Sequence, residues 1–388
     1  MRVGAGVSKL KEAEGALQEA YRKSLQRLGA TKADLCFIFY SYDYALDAVS
    51  VSSAFKKVLR DIPHFGASSW SAWTARESFE GETGMLVVSL KAPAFEFDFF
   101  KVHSLREKAE LWSAEISRQI GDRLPTTPDF LFLIADSLNF VAGNGFAFVE
   151  RQFPQLPICG MGTSFSVPQC SLACNGEVHM NSLLGMTFKG IEPWVGIYQN
   201  IKPELEPIAV NRMSENLVIE IDQKPAFYKL CEHLMTHDDL PMMSPDEFRR
   251  HMGNLYIIEK GKTISERPRT IGDNYRVIPL LGSEMTTGMV AVANSLDFSQ
   301  VHYLGQKKAT YAERDAEQIL QQIREKVPNP SMVWMLSSTS RFRDTERKLS
   351  DLAIVESIFP DVPIMGMATN GEYLGGLNQS AGIVIAFP

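Results

Sequence analysis

The chain has 388 residues, 45% apolar and 22% charged, with 39 Lys and Arg against 46 Asp and Glu for a net charge of −7. That balance excludes a disordered chain, and without a dense basic stripe it argues against nucleic-acid binding. No apolar run reaches about 18 residues and MRVGAGVSKLKEAEG lacks the apolar middle of a secretion signal, so no membrane span is expected and the cytoplasm is the expected location.

At about 100 to 200 residues per domain, the length suits two or three domains or one duplicated body. Its five cysteines are an odd number spread along the chain, which does not read as a disulfide framework. Cys36 and Cys159 read as small buried hydrophobes.

The first helical signal places Leu10, Ala13, Leu17, Tyr21, Leu25 and Leu28 on one stripe. DLCFIFYS, residues 34–41, is too continuously apolar for a half-exposed edge and reads as a strand covered on both faces. A second helix over about residues 45–60 turns Ala48, Val51, Phe55 and Leu59 inward, and IPHFG and GMLVVSL (84–90) supply two more strands. The same order returns from Leu105 to Ile120, through DFLFLIADS (129–137), a helical stretch to Phe153, LPICGMGTS and LLGMTF. A third copy follows: Ala316, Ile319, Ile323 and Val327, then SMVWMLSS, RKLSDLAIVESIF, VPIMGMATNGE and AGIVIAFP.

Ordered agreement of five elements in three places predicts an internally duplicated α/β protein. Its α-β-α-β-β units form mixed sheets covered by helices. The intervening segment from about 190 to 310 breaks the pattern: WVGIYQ, NLVIEI, NLYIIEK, YRVIPLL and GMVAVAN read as five short strands of an insert, with KPAFYKLCEHLM as a helix. Pro241 and Pro245 mark the loop at 238–246 as a candidate hinge. The preferred division is 1–210 and 211–388.

Ligands of α/β folds tend to sit beyond the carboxyl ends of strands. The Pro-x-x-Gly turns are expected to close their short strands at Gly66, Gly160 and Gly366, each with a hydroxyl three positions on: Ser69, Thr163 and Thr369. Such hydroxyls cap backbone or hold a polar ligand. The third copy adds Asn370, Gly371 and Glu372, and the loop SSTSR adds Ser338 and Arg341; Asp136 ends the matching strand of the second copy. If strands 332–337 and 362–367 are neighbours, Arg341 and Glu372 emerge together, either to hold the carboxylate and ammonium of an amino acid or to bridge each other.

Other chemistries fit less well. No G-x-S-x-G pentad supports a serine hydrolase. His233 and His237, near Cys231 and Asp238, lack a third metal ligand and read as a solvated helix end; CSLAC followed by His179 reads as core or turn. GNG at 143–145 reads as a helix start, without the remaining residues of a phosphate or dinucleotide loop. No metal or cofactor is expected.

These residues resemble the FIST-domain family, known as N-terminal and C-terminal halves in bacterial signalling proteins and in a eukaryotic F-box protein. YRVIPLL, the Arg341 loop, FPDVPIMGMATNGEY and Asn378 resemble the C-terminal half; GVS, DLCFIFYS and FGASSWSA resemble the N-terminal half. In this chain Ser337 and Ser338 stand where the family tends to carry Cys, and Tyr373 follows Gly-Glu in place of an aliphatic residue. The resemblance implies a sensory module that binds a small molecule such as an amino acid or similar carboxylate. Since the chain shows no kinase, methyl-accepting or F-box segment, output through a separate signalling protein is expected. An enzyme using Glu372 as acid or base, and an interaction scaffold without a ligand, are the alternatives.

Overall fold

The computed structural model describes residues 1–91, 95–107, 111–123, 127–140, 145–164, 169–237, 254–260, 267–272, 275–284, 286–292, 296–298, 300–307, 309–342, 350–374, 377–378 and 380–388. The first unit comprises β1 (Arg2–Ser8), α1 (Ala13–Leu28), β2 (Leu35–Tyr40), α2 (Tyr42–Ala45), α3 (Ala48–Val58), β3 (His64–Ser68), the hairpin β4 (Ser71–Thr74) and β5 (Ser78–Glu80), and β6 (Met85–Lys91). The second comprises β7 (Glu96–His103), α4 (Trp112–Arg123), β8 (Phe130–Ala135), α5 (Gly145–Gln152), β9 (Ile158–Thr163), the hairpin β10 (Leu172–Cys174) and β11 (Glu177–His179), and β12 (Ser182–Lys189). The third opens with β13 (Trp194–Gln199) and resumes after an insert with α7 (Ala309–Lys326), β23 (Met332–Ser338), α8 (Thr339–Phe342), α9 (Asp351–Ile358), β24 (Ile364–Leu374), β25 (Leu377–Asn378) and β26 (Ala381–Phe387).

The five expected elements thus recur three times, and each unit also has an opening strand. Strands β1, β7 and β13 each pair antiparallel with the long last strand of their own unit, at β6, β12 and β26. Pattern reading misses β1 because RVGAGVS is glycine-rich, and misses β7 because EFDFFKVH interleaves charges with apolar residues. It assigns WVGIYQ to the insert, whereas β13 pairs along its whole length with β26. The spatial order is the same in every copy: β1-β6-β2-β3, β7-β12-β8-β9 and β13-β26-β23-β24.

Register repeats as well. The parallel pairs place Ile38 opposite Gly66, Leu133 opposite Gly160 and Met335 opposite Gly366. The three motif glycines therefore lie inside their strands rather than closing them. For Gly366 the reason is a close approach: a Cβ there would stand 2.3 Å from the Trp73 indole of the first unit. TNGEY, expected as a loop, belongs to β24 because antiparallel pairing with β9 extends that strand to Leu374.

The first unit forms one sheet, extended by the β10–β11 hairpin of the second unit beside β3. The second and third units share another sheet, joined where β9 meets β24, with β4 of the first unit also pairing to β24. The two sheets face each other across one apolar core holding Phe37, Phe39, Phe65, Phe132 and Trp334. Helices α1 and α3 cover the outer face of the first sheet; α4 and α5, then α7 and α9, cover the second. Strands buried on both faces explain the continuously apolar runs.

The insert comprises β14 (Ile201–Ile208), β15 (Val210–Ser214), β16 (Leu217–Ile221), β17 (Lys224–Pro225), α6 (Ala226–His237), β18 (Leu255–Lys260), β19 (Thr270–Ile271), β20 (Tyr275–Glu284), β21 (Met289–Val292) and β22 (Val301–Lys307). Apart from β19, which pairs with β13, its strands form a separate antiparallel sheet against which α6 packs. The 238–246 hinge candidate lies outside the described residues.

Substituting Gly366→Ala forces the Trp73 arm off β24, and overpacking of this kind costs about 1–3 kcal/mol. Urea unfolding should show that loss, with an altered tryptophan emission spectrum already in the native baseline.

Candidate functional site

Parallel pairing sets Ser337–Ser338, at the C-terminal end of β23, beside Ala368–Thr369 in the middle of β24. Short α8 follows β23 directly and turns Arg341 back under α7 and α9. The guanidinium is fully buried: its Nε donates to Asp351 Oδ2 at 2.9 Å and its Nη2 donates to Asp351 Oδ1 at 3.0 Å and to the Ala312 carbonyl at 2.8 Å. Its Cζ stands 4.5 Å from the centre of the Tyr198 ring, and the Ser337 hydroxyl donates to Asp351 Oδ2 at 2.9 Å. Burial is the largest single influence on Arg341 and would lower its pKa, but Asp351, Tyr198 and Asp315 together outweigh it and the net shift is upward.

Glu372 lies fully buried within β24, three residues beyond Thr369. Gly371, at φ 97, lies where the β9–β24 register shifts between Thr369 and Glu372, a backbone state suited to glycine. The bulge lets Thr369 and Glu372 meet, the Thr369 hydroxyl donating to Glu372 Oε1. The Ala381 amide donates to Glu372 Oε2 at 3.3 Å. Burial pushes the Glu372 carboxyl up to about 8, against the opposing pull of Thr369, Ala381 and the Arg341 charge. The carboxyl is therefore largely neutral at pH 7.

No ion pair joins Arg341 and Glu372 among the described residues; Arg341 pairs with Asp351 and Glu372 lies within β24. Arg341 turns its two-nitrogen edge to Asp351, ten residues further along the chain, a partner that no motif marked. Around Glu372, Thr339 Oγ1 donates to Asn370 Oδ1 at 2.7 Å, and hydroxyls run from Ser338 to Ser340 at 3.0 Å and from Ser340 to Ser380 at 2.7 Å. Thr163 is the register partner of Thr369. The Ser69 hydroxyl bridges the three units, at 2.7 Å from Ser71 O, 3.0 Å from Ser164 Oγ and 3.0 Å from Ala368 O. Asp136 is taken up by Cys170 Sγ at 2.8 Å and the Asn181 backbone amide at 2.7 Å.

Three further residues complete this end of the unit. Gln199, opposite Ala381, donates its amide N–H to Asp315 at 2.8 Å, and Asn200 follows it at the start of the insert. Among the described residues, Arg341 Nη1, Gln199 Oε1 and both polar atoms of the Asn200 side chain are buried without a hydrogen-bond partner. A buried polar group left so costs about 1–3 kcal/mol, and such groups are uncommon in native folds. Gln199 and Asn200 stand where the insert leaves the body, the Gln199 side-chain nitrogen donating to Tyr275 O at 3.1 Å, and Arg341 stacks on the preceding residue, Tyr198. Lys307, where the insert returns, donates to Ser340 O at 3.0 Å and pairs with Ile201. Gln199 and Asn200 carried no motif, and only β13–β26 pairing reveals them.

Elsewhere, His233 is held by Glu204 at 2.9 Å rather than lying at a solvated helix end. Among the described residues no group of three His, Cys, Asp or Glu side chains is arranged for a metal. No described helix is long and apolar enough to cross a membrane.

Comparison with known proteins places residues 34–224 in a match to the FIST N domain family model, from β2 of the first unit to β17 of the insert. Two uncharacterised proteins of Mycobacterium tuberculosis, from strains CDC 1551 / Oshkosh and ATCC 25618 / H37Rv, are each 21% identical to the chain over 383 residues. Each alignment covers 96% of this chain and 94% of the relative, so the similarity continues through the insert and the third unit.

Two outcomes follow from the geometry. Arg341→Ala leaves Asp351 buried without its cation and should cost about 3–5 kcal/mol in urea unfolding, with Asp351→Asn falling in the same direction. Because the folded Glu372 pKa lies above the ordinary carboxyl value, its contribution to stability is greatest below about 4.5 and is lost as pH rises through about 8. Measured melting temperatures of Glu372→Gln should therefore decline less than wild type between those pH values.

Proposed function

We propose that the chain is a sensory protein of signal transduction that binds a small polar ligand at the strand ends of the third unit. The FIST family is one of sensory, signal-transduction domains, and the match over residues 34–224 brings that role to this chain. The observation that carries the ligand site is the unused set of Arg341 Nη1, Gln199 Oε1 and the Asn200 amide. An amino acid suits it: a carboxylate oxygen accepts from Arg341 Nη1 and Asn200 Nδ2, while an ammonium donates to Gln199 Oε1 and Asn200 Oδ1. Neutral Glu372 and the Arg341–Asp351 pair leave little net charge nearby, which favours a ligand whose own charges cancel.

Residues 211–388 then act as the C-terminal FIST half in the cytoplasm. Asn200 and Lys307 stand at the two attachment points of the insert, so a ligand that prefers one arrangement of that joint shifts the insert's position. A separate signalling protein reads the shift.

Thermal-shift titration with the common neutral amino acids tests this reading. Wild type should show a saturable rise with at least one of them, and Asn200→Ala should lose it. A flat response of wild type across the whole set would refute the ligand assignment.

A further inference from the structure

The open edge of the first sheet runs through two adjoining cavities. Strand β1 pairs with β6 on one side and has no strand on the other among the described residues. Val7 lines a cavity of about 980 Å³ with Leu10, Glu80 and Leu352, and Val3 and Ala5 line one of about 480 Å³ with Glu356 and Asp361. Thr74, Ala75 and Arg76, at the tip of the β4–β5 arm, border both. The opposite wall is α9 of the third unit, so the edge faces a slot instead of bulk solvent.

The outward backbone groups of β1 are held by side chains. Lys23 Nζ donates to the Val7 carbonyl at 2.8 Å, Arg27 Nη1 donates to the Ala5 carbonyl at 2.7 Å, and the Val7 amide donates to Glu77 Oε2 at 3.2 Å. Lys23 and Arg27 are one helical turn apart on α1, and that spacing matches carbonyls two residues apart on the strand. The three side chains occupy the places that a neighbouring strand would take. Glu77 also pairs with both cations, Arg27 at 2.9 Å and Lys23 at 3.7 Å, and Lys23 pairs with Glu19 at 3.1 Å, so their charges stay matched if the backbone groups are handed to another chain.

We propose that this slot binds an extended, basic peptide segment of a partner protein, added as a strand to the free edge of β1. The backbone defines the extended form: residues 3, 5 and 7 direct both N–H and C=O outward, and strand addition satisfies that ladder with little dependence on sequence. Charge defines the basic character. Glu80, Glu356 and Asp361 have no ion pair among the described residues, against one unpaired cation, Arg76, at the slot. Seven residues of strand span roughly 23 Å, the length of β1 itself. Asp351, the partner of Arg341, lies on the wall of the larger cavity, but the strand edge and the unpartnered polar atoms are different groups, and either assignment can fail alone.

The probe is an acetylated, amidated Lys-Val-Thr-Val-Thr-Val-Lys peptide, with Glu in place of both Lys as its counterpart, titrated by fluorescence anisotropy on the full chain. Saturable binding of the basic peptide is expected, about tenfold tighter than that of the acidic one, with slowed amide exchange at Val3, Ala5 and Val7. Ala5→Pro removes an outward N–H without touching the β6 side, and Glu356→Lys reverses a wall charge at a surface position; each should weaken binding about tenfold. If Ala5→Pro does not fold, Glu356→Lys and the exchange pattern decide. No saturable binding at millimolar peptide, or exchange at β1 unchanged by a peptide that does bind, overturns the proposal and leaves Lys23, Arg27 and Glu77 as protection of a bare edge.

Discussion

One contact stands at the centre of this molecule: Trp334 lies with its ring centre 4.8 Å from that of Phe37 and 4.2 Å from that of Phe132. The three residues hold the same place in their units, one position before Ile38, Met335 and Leu133. An aromatic ring at that place reaches the mid-plane between the two sheets, so three copies bring three rings to one point. Burying rings of this size is among the larger single contributions to a core, and truncating one costs about 3–5 kcal/mol. The contact also ties all three units together, and the relative positions of every other element follow from it.

Around that centre the units exchange their edges. The second unit lends its hairpin to the sheet of the first, the first lends β4 to the sheet of the third, and β24 pairs with β9. A free strand edge is a liability, and a closed exchange among three copies covers most of the edges they bring. It also leaves polarity concentrated at β24, where four partners, β23, β9, β4 and β25, meet within eleven residues. The bulge at Gly371, the neutral Glu372 and the Ser69 bridge all sit there. The opposite edge of the first sheet, at β1, is outside this exchange and is satisfied by side chains alone.

The third unit differs from the others because an insert separates its first strand from its first helix. Its two attachment points, Asn200 and Lys307, are drawn together at the strand ends that already hold the buried polar groups. Buried polar groups and the joint of the insert therefore share one end of the unit. Arg341 ties α8 to α7, α9 and β13 through Ala312, Asp351 and Tyr198, with one nitrogen left over.

Much of the architecture was legible from periodicity and repetition. DLCFIFYS, DFLFLIADS and SMVWMLSS announce equivalent strands because burial on both faces demands unbroken apolar runs, and helices declare themselves by one-sided stripes. The opening strands β1 and β7 escaped because glycines and alternating charges carry no such signature. The hydroxyls after the motif glycines, Arg341 and Glu372 were picked out from their order along the chain. What only the tertiary structure decided is who bonds to whom. Asp351 captures Arg341, Thr369 meets Glu372, and Cys170 and Asn181 take up Asp136, because these relations depend on how the strands and helices pack, and a linear pattern contains no measure of that packing.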